Sequence, residues 1–211
     1  MSIQYTMICL HGLGASGDNL KPIAQALNLP NIRFIFPQAP TLSVTLNQGR
    51  PMPAWYDIKN SDFSSALRSD ANGVDNACAT IKALIADEQA RYAIPPERVF
   101  LMGFSQGGSI ALELGLHAEE KLAGIIGLST LLAKAEKTLE NLSPANRDTP
   151  IFLAHGSRDS VVPFSVGEHI QRQLQEKNYR LAWVSAAEEH TIWTEEITAL
   201  RQWLLTIISA E

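Results

Sequence analysis

The sequence predicts an α/β fold, a mainly parallel central sheet with helices on both faces. Three observations carry that expectation. Apolar runs of strand length alternate with amphipathic stretches of helix length along the 211 residues, the pattern of strand–helix–strand crossovers. Several strands are apolar at successive rather than alternate positions, as a strand covered on both faces must be. Hydrophobic residues make up 45% of the chain and charged ones 18%, which supplies a sizeable core and excludes general disorder. No linker, repeat or low-complexity tract breaks the pattern, so residues 1–211 are expected to form one domain.

Tyr5–Leu10 reads as the first strand, and the residues up to Leu10 lack the basic stretch and small-residue cleavage site of a leader. A Gly-rich loop and a helix near Leu20–Leu27 follow, with Pro22 tolerated in its first turn. Ile32–Phe36 is the second strand. The segment Pro37–Phe63 contains Pro37, Pro40, Pro51 and Pro53 and shows little periodicity, so a structured surface loop is expected there. Loops of that length often line a site. Ser69 or Asp70 can cap the next helix, which places Val74, Cys78, Ile81 and Ile85 on one face and is stopped by Pro95 and Pro96. The rest alternates: strand Val99–Phe104, helix Gly107–His117, strands Gly124–Leu128 and Ile151–His155, helix Phe164–Lys177, strand Leu181–Ser185 and helix Thr191–Ile208.

Seventeen basic and 22 acidic residues leave a formal charge of −5, which argues against nucleic acid or an anionic membrane as the main partner. Cys9 and Cys78 show no C-x-x-C or Cys/His metal spacing, so buried free thiols are expected and no metal. No apolar run approaches the ~20 residues needed to span a bilayer. The cytoplasm is the default location.

In parallel sheets reactive groups collect beyond the carboxyl ends of the strands, and the loop after Val99–Phe104 reads Gly103-Phe104-Ser105-Gln106-Gly107. This G-x-S-x-G pattern, with a strand before it and a helix after it, suits a nucleophilic serine in a tight strand-to-helix turn. The helix would then point its partly positive N-terminus at a developing oxyanion, with the Gln106 N–H as the first donor. A serine nucleophile needs a base, normally histidine oriented by a carboxylate. His117 and His169 lie on helices, while His11 and His155 precede glycine turns and suit supporting roles. His190, after the last strand, fits the chain order Ser, acid, His. Asp159 lies between them in Gly156-Ser157-Arg158-Asp159; Glu188 and Glu189 are rivals, but sit too near His190 in sequence to reach its far ring nitrogen with ease. The loop His11-Gly12-Leu13-Gly14 matches neither G-x-G-x-x-G nor a P-loop, and its position suits a second oxyanion donor near Leu13.

Four segments occur in order: Leu10-His11-Gly12-Leu13-Gly14, Pro51-Met52-Pro53-Ala54-Trp55-Tyr56-Asp57, Gly103-Phe104-Ser105-Gln106-Gly107-Gly108 and His155-Gly156-Ser157-Arg158-Asp159. Together they resemble the acyl-protein thioesterase and phospholipase/carboxylesterase family of α/β-hydrolases. The resemblance implies an α/β-hydrolase fold, in which 211 residues leave little room for a large lid domain, a triad of Ser105, Asp159 and His190, and an oxyanion hole from the N–H groups of Leu13 and Gln106. It also implies that Trp55 and Tyr56 shape the acyl-binding side. The chain departs from the family in two places: Glu189 replaces the glycine usual before the base, and Leu131-Leu132-Ala133 replaces Tyr-Leu-Pro, which makes Leu131 part of an altered acyl wall.

The resulting expectation is a serine hydrolase that needs no cofactor and cleaves carboxylic esters or thioesters of short- to medium-chain acyl groups. Small acyl esters, acylated proteins and lysophospholipids are its candidate substrates, and a homodimer is compatible with the family. Two other readings stand beside it. One is a non-catalytic binding protein on the same scaffold. The other gives the last helix a membrane-surface role through the stripe Ile197, Leu200, Leu204 and Ile208, which packing on the sheet would explain more simply.

Overall fold

A computed structural model describes residues 3–65 and 67–209; the remaining positions of the expected 1–211 span, including Met1 and Ser2, lie outside it. Six parallel strands form one sheet: β1 Tyr5–Leu10, β2 Ile32–Ile35, β5 Val99–Phe104, β6 Gly124–Leu128, β7 Ile151–Gly156 and β8 Leu181–Ala186. Their spatial order is β2-β1-β5-β6-β7-β8. Five helices cover it: α1 Lys21–Leu27, α2 Ala71–Tyr92, α3 Gln106–His117, α4 Phe164–Glu176 and α5 Thr194–Ile208.

The successive apolar residues of β1 divide between two cores because side chains alternate across a strand. Ile8 and Leu10 pack with Val74 and Ile81 of α2 and Ile110 and Leu114 of α3. Tyr5, Met7 and Cys9 point the other way, toward Ile23 and Leu27 of α1 and Leu200 and Leu204 of α5. Each fully buried Leu or Ile contributes about 2 kcal/mol, so the continuous apolar pattern stabilises both layers. The α5 stripe is thereby explained: Leu200 and Leu204 are completely buried, with Ile197 and Ile208 packed beside them. Among the described residues no helix is long and apolar enough to cross a membrane.

Asp70, not Ser69, caps α2; its carboxylate accepts the Gly73 N–H at 3.0 Å. Ala93 in the left-handed region (φ 52°) ends that helix before Pro95. The last helix begins at Thr194 rather than Thr191, since the Thr191 N–H turns back to the Glu189 carbonyl at 2.9 Å.

The 37–63 segment differs from the expected loop. It folds as an antiparallel hairpin, β3 Thr41–Val44 against β4 Arg50–Pro53. Pro51 and Pro53 are tolerated because the chain pairs through alternate residues: the Ala54 N–H bonds Pro40 and the Gly49 N–H bonds Val44, leaving the proline nitrogens on the outer edge. That edge is used. The Pro53 carbonyl accepts the Gly14 N–H at 2.8 Å and pins the loop after β1.

The connection from β1 runs to β2 on one side, and the chain then returns through α2 to β5 on the other. The loops leaving β1 and β5 therefore splay apart and open a crevice at the carboxyl edge.

Candidate active site

Ser105 sits in that crevice with φ 52° and ψ −120°, a sparsely populated backbone conformation for a non-glycine residue. The surroundings hold it there. Its N–H donates to the Leu128 carbonyl at 2.9 Å, and its own carbonyl accepts the Thr130 hydroxyl at 2.7 Å. The helix that follows must press against β1, and at Gly107 a Cβ would lie 2.1 Å from the Leu10 carbonyl oxygen. Only glycine allows this approach.

Three side chains converge. His190 Nε2 lies 3.0 Å from Ser105 Oγ, and His190 Nδ1 lies 2.6 Å from Asp159 Oδ2. A carboxylate only accepts, so Nδ1 carries the proton and Nε2 is left to accept from the serine hydroxyl. Asp159 is itself fixed, its Oδ1 accepting the Val161 and Val162 N–H groups at 2.8 Å each. The Phe104 ring packs against the imidazole, centroids 4.8 Å apart. Glu189 is exposed and Glu188 half-buried, and their backbone carbonyls bond the Thr191 and Arg158 N–H groups.

The other histidines support the loops. His155 Nε2 donates to the Val162 carbonyl at 2.8 Å, and burial pushes its pKa down, which favours the neutral ring. His11 accepts the Ala39 N–H at its Nε2, 3.1 Å away, and Nδ1 donates to the Gly12 carbonyl at 2.8 Å. Burial lowers its pKa too, against the opposing pull of that carbonyl. His117 bonds the Glu113 and Glu140 carbonyls, and His169 meets Glu136 on the surface.

The two proposed oxyanion donors flank the serine. Gln106 is the first residue of α3, so its N–H has no carbonyl one helical turn earlier. Leu13 is carried by the β1 loop, whose Gly12 lies so close that a Cβ there would be 3.4 Å from the Ser105 Cβ. A cavity of about 330 Å³ opens beside Ser105, walled by Leu13, Leu46, Ile58, Phe63, Leu131 and Val161, with Arg68 and His190 also on its surface. Leu131 lines the same cavity as Ser105.

Trp55 and Tyr56 correct the expectation that they shape that wall directly. They are 4% and 0% exposed and are absent from the cavity surface. Each ring turns its polar tip inward: Trp55 Nε1 donates to the His11 carbonyl at 2.8 Å, and the Tyr56 hydroxyl meets Ser109 Oγ at 2.7 Å. Residues of the same region that sequence reasoning passed over, Leu46, Ile58, Phe63 and Arg68, supply the wall instead. The length of the 37–63 segment points to it as a wall, but an isolated Leu, Ile or Arg in a polar stretch gives no periodic signal that singles out the residue.

The geometry matches known proteins. Residues 2–208 fit the phospholipase/carboxylesterase family model. The chain is 34% identical to acyl-protein thioesterase 1 of Cryptococcus neoformans, covering 95% of this chain and 91% of the relative. It is 35% identical to a probable carboxylesterase of Oryza sativa, covering 97% of this chain and 78% of that one. The crystal structure of Arabidopsis thaliana SOBER1 superposes with a TM-score of 0.88 at 28% identity, over 97% of this chain and 99% of that one. With a six-stranded parallel sheet, a strained serine turn and this agreement over nearly the whole sequence, the chain belongs to the phospholipase/carboxylesterase family of α/β-hydrolases and is a serine ester hydrolase.

Proposed function

We propose that Ser105 is the nucleophile of a two-step hydrolysis of carboxylic esters or thioesters, with His190 as general base and acid and Asp159 as its orienting carboxylate. The observation that carries this reading is the continuous relay from Ser105 Oγ through both ring nitrogens of His190 to Asp159 Oδ2, at 3.0 and 2.6 Å. His190 takes the serine proton as Oγ attacks the acyl carbonyl, then gives it to the departing alcohol or thiol. Water, deprotonated by the same ring, then releases the acid. Asp159 keeps Nδ1 protonated and stabilises the imidazolium that forms. The N–H groups of Gln106 and Leu13 hold the oxyanion, each a contribution of about 3 kcal/mol to the barrier.

A cavity of about 330 Å³ lies at the lower end of the range for small-molecule sites, roughly 300–1,000 Å³. Its apolar walls favour short- to medium-chain acyl groups, and the names of the relatives, acyl-protein thioesterase and carboxylesterase, support esters and thioesters alike. A fluorophosphonate probe tests the reading. Wild type should be labelled and Ser105→Ala should not; equal labelling of the two would sink the nucleophile.

A further inference from the structure

One charged group on the cavity surface has no part in hydrolysis. Arg68 is 8% exposed and lines the cavity that holds Ser105. Its guanidinium lies over the Phe63 ring, 4.0 Å from the centroid, and Nη1 donates to the Asn60 carbonyl. Its Nε is buried with no hydrogen-bond partner. Among the described residues no carboxylate forms an ion pair with it. Asp62, the carboxylate whose charge is felt there, is exposed, and its Oδ1 accepts the Ser64 N–H and hydroxyl at 2.9 and 2.7 Å.

The backbone at this point is held firmly. The Lys59 N–H donates to the Arg68 carbonyl at 2.7 Å, and the Arg68 N–H to the Ser65 carbonyl at 3.0 Å; the adjacent Ser69 bridges Ile58 in antiparallel fashion. A cation largely out of water with no direct ion pair and incomplete hydrogen bonding is costly, and burial pushes this guanidinium's pKa down from its ordinary value, against a weaker pull from Tyr56 and Asp62. A planar guanidinium is matched best by a carboxylate or phosphate. Apart from Ser61, the wall away from Ser105 is apolar, with Leu13, Leu46, Ile58 and Leu131, so the complementary ligand is an aliphatic stretch that ends in, or is linked to, an anion.

We propose that Arg68 is a specificity-determining residue that selects substrates carrying a carboxylate or phosphate on the part seated in this cavity. The proposal rests on Ser105 being the nucleophile of this site. It concerns substrate choice, not the chemical step.

Two matched pairs test it. In the acyl arm, ethyl hydrogen glutarate is compared with ethyl pentanoate; in the leaving-group arm, 1-butyrylglycerol 3-phosphate with 1-butyrylglycerol. Wild type should favour the charged member of at least one pair in kcat/KM by about tenfold or more, the scale of one charge-assisted hydrogen bond. The arm that shows the preference identifies which half of the substrate bears the anion. Arg68→Gln should collapse that ratio to near one, and Arg68→Lys should keep part of it. A ratio near one in both arms for wild type, or a ratio that survives Arg68→Gln, overturns the assignment; the wild-type ratios decide alone if the Gln variant does not fold. Ser105→Ala separates the two readings. Turnover persisting in that variant refutes the nucleophile and the proposal with it, whereas inactive Ser105→Ala beside equal wild-type ratios refutes Arg68 alone.

Discussion

The side-chain amide of Gln106 is clamped to the backbone around Trp55. Its Oε1 accepts the Trp55 N–H at 2.9 Å, and its Nε2 donates to the Tyr56 carbonyl at 2.8 Å. The proposed oxyanion donor is thus tied by its side chain to the segment behind the cavity wall. Gln106→Ala leaves a buried N–H and a buried carbonyl unpaired, so it should cost about 2–4 kcal/mol of stability. kcat should fall as the donor loosens, while binding of neutral substrate changes less. Urea unfolding and steady-state kinetics on the same variant check both; an unchanged midpoint would show that the clamp carries no load.

Asp159→Asn should fold, because its remaining oxygen can still accept the Val161 and Val162 N–H groups that now bond Oδ1. The new amide, however, would donate to His190 Nδ1 and move the ring proton to Nε2. The base would then face Ser105 with a proton already in place. kcat should drop by about 10⁴-fold, the scale of the same change in a serine protease, with little shift in melting temperature.

Glu196 sets a pH dependence of stability. It is fully buried, its Oε2 accepts the Trp193 N–H at 3.2 Å, and its Oε1 has no partner. Burial pushes its pKa up from 4.5 to about 8. Between those values the folded chain binds a proton that the unfolded chain has lost, so stability falls as pH rises through the window. The loss is on the order of a few kcal/mol by pH 8. Glu196→Gln removes the charge and keeps an acceptor for Trp193. Its melting temperature should exceed wild type at pH 8 and approach it at pH 5; parallel curves across that range would contradict the account.

Leu131 lines the cavity at 5% exposure. Leu131→Ala should enlarge the acyl side and shift the best p-nitrophenyl ester toward longer chains, by several-fold in the kcat/KM ratio of octanoate to butyrate. Each added methylene that finds a wall is worth about 0.8 kcal/mol. An unaltered chain-length profile would place the acyl group elsewhere.

The parts that were legible in the sequence are those with local or periodic signals. β5 followed by Gly103-Phe104-Ser105-Gln106-Gly107 announces a strand-to-helix turn, and β1 and β6 announce themselves as largely apolar runs, broken only by Thr6 in β1. The hairpin β3–β4 was hidden because prolines at alternate positions of β4 mask strand propensity, although an outer edge accepts them without loss. The motif of Trp55 and Tyr56 lies in the right segment for a wall. Which way a ring points depends on partners at His11 and Ser109, far away in sequence. Arg68 was silent for the converse reason: a charged residue in a polar stretch looks solvated until the tertiary fold buries it.

The order in which the strands enter the sheet has a consequence for the nascent chain. Ser105 and His190 are 85 residues apart, and His190 follows β8, the last strand in sequence and an edge strand of the sheet. A chain that has assembled only as far as β7 already holds the serine turn and Asp159, but it lacks the proposed base, His190. Turnover therefore begins with the docking of the final strand, and regain of esterase activity on refolding times completion of the sheet rather than collapse. On the proposed triad, an unfinished chain on the ribosome would lack esterase activity.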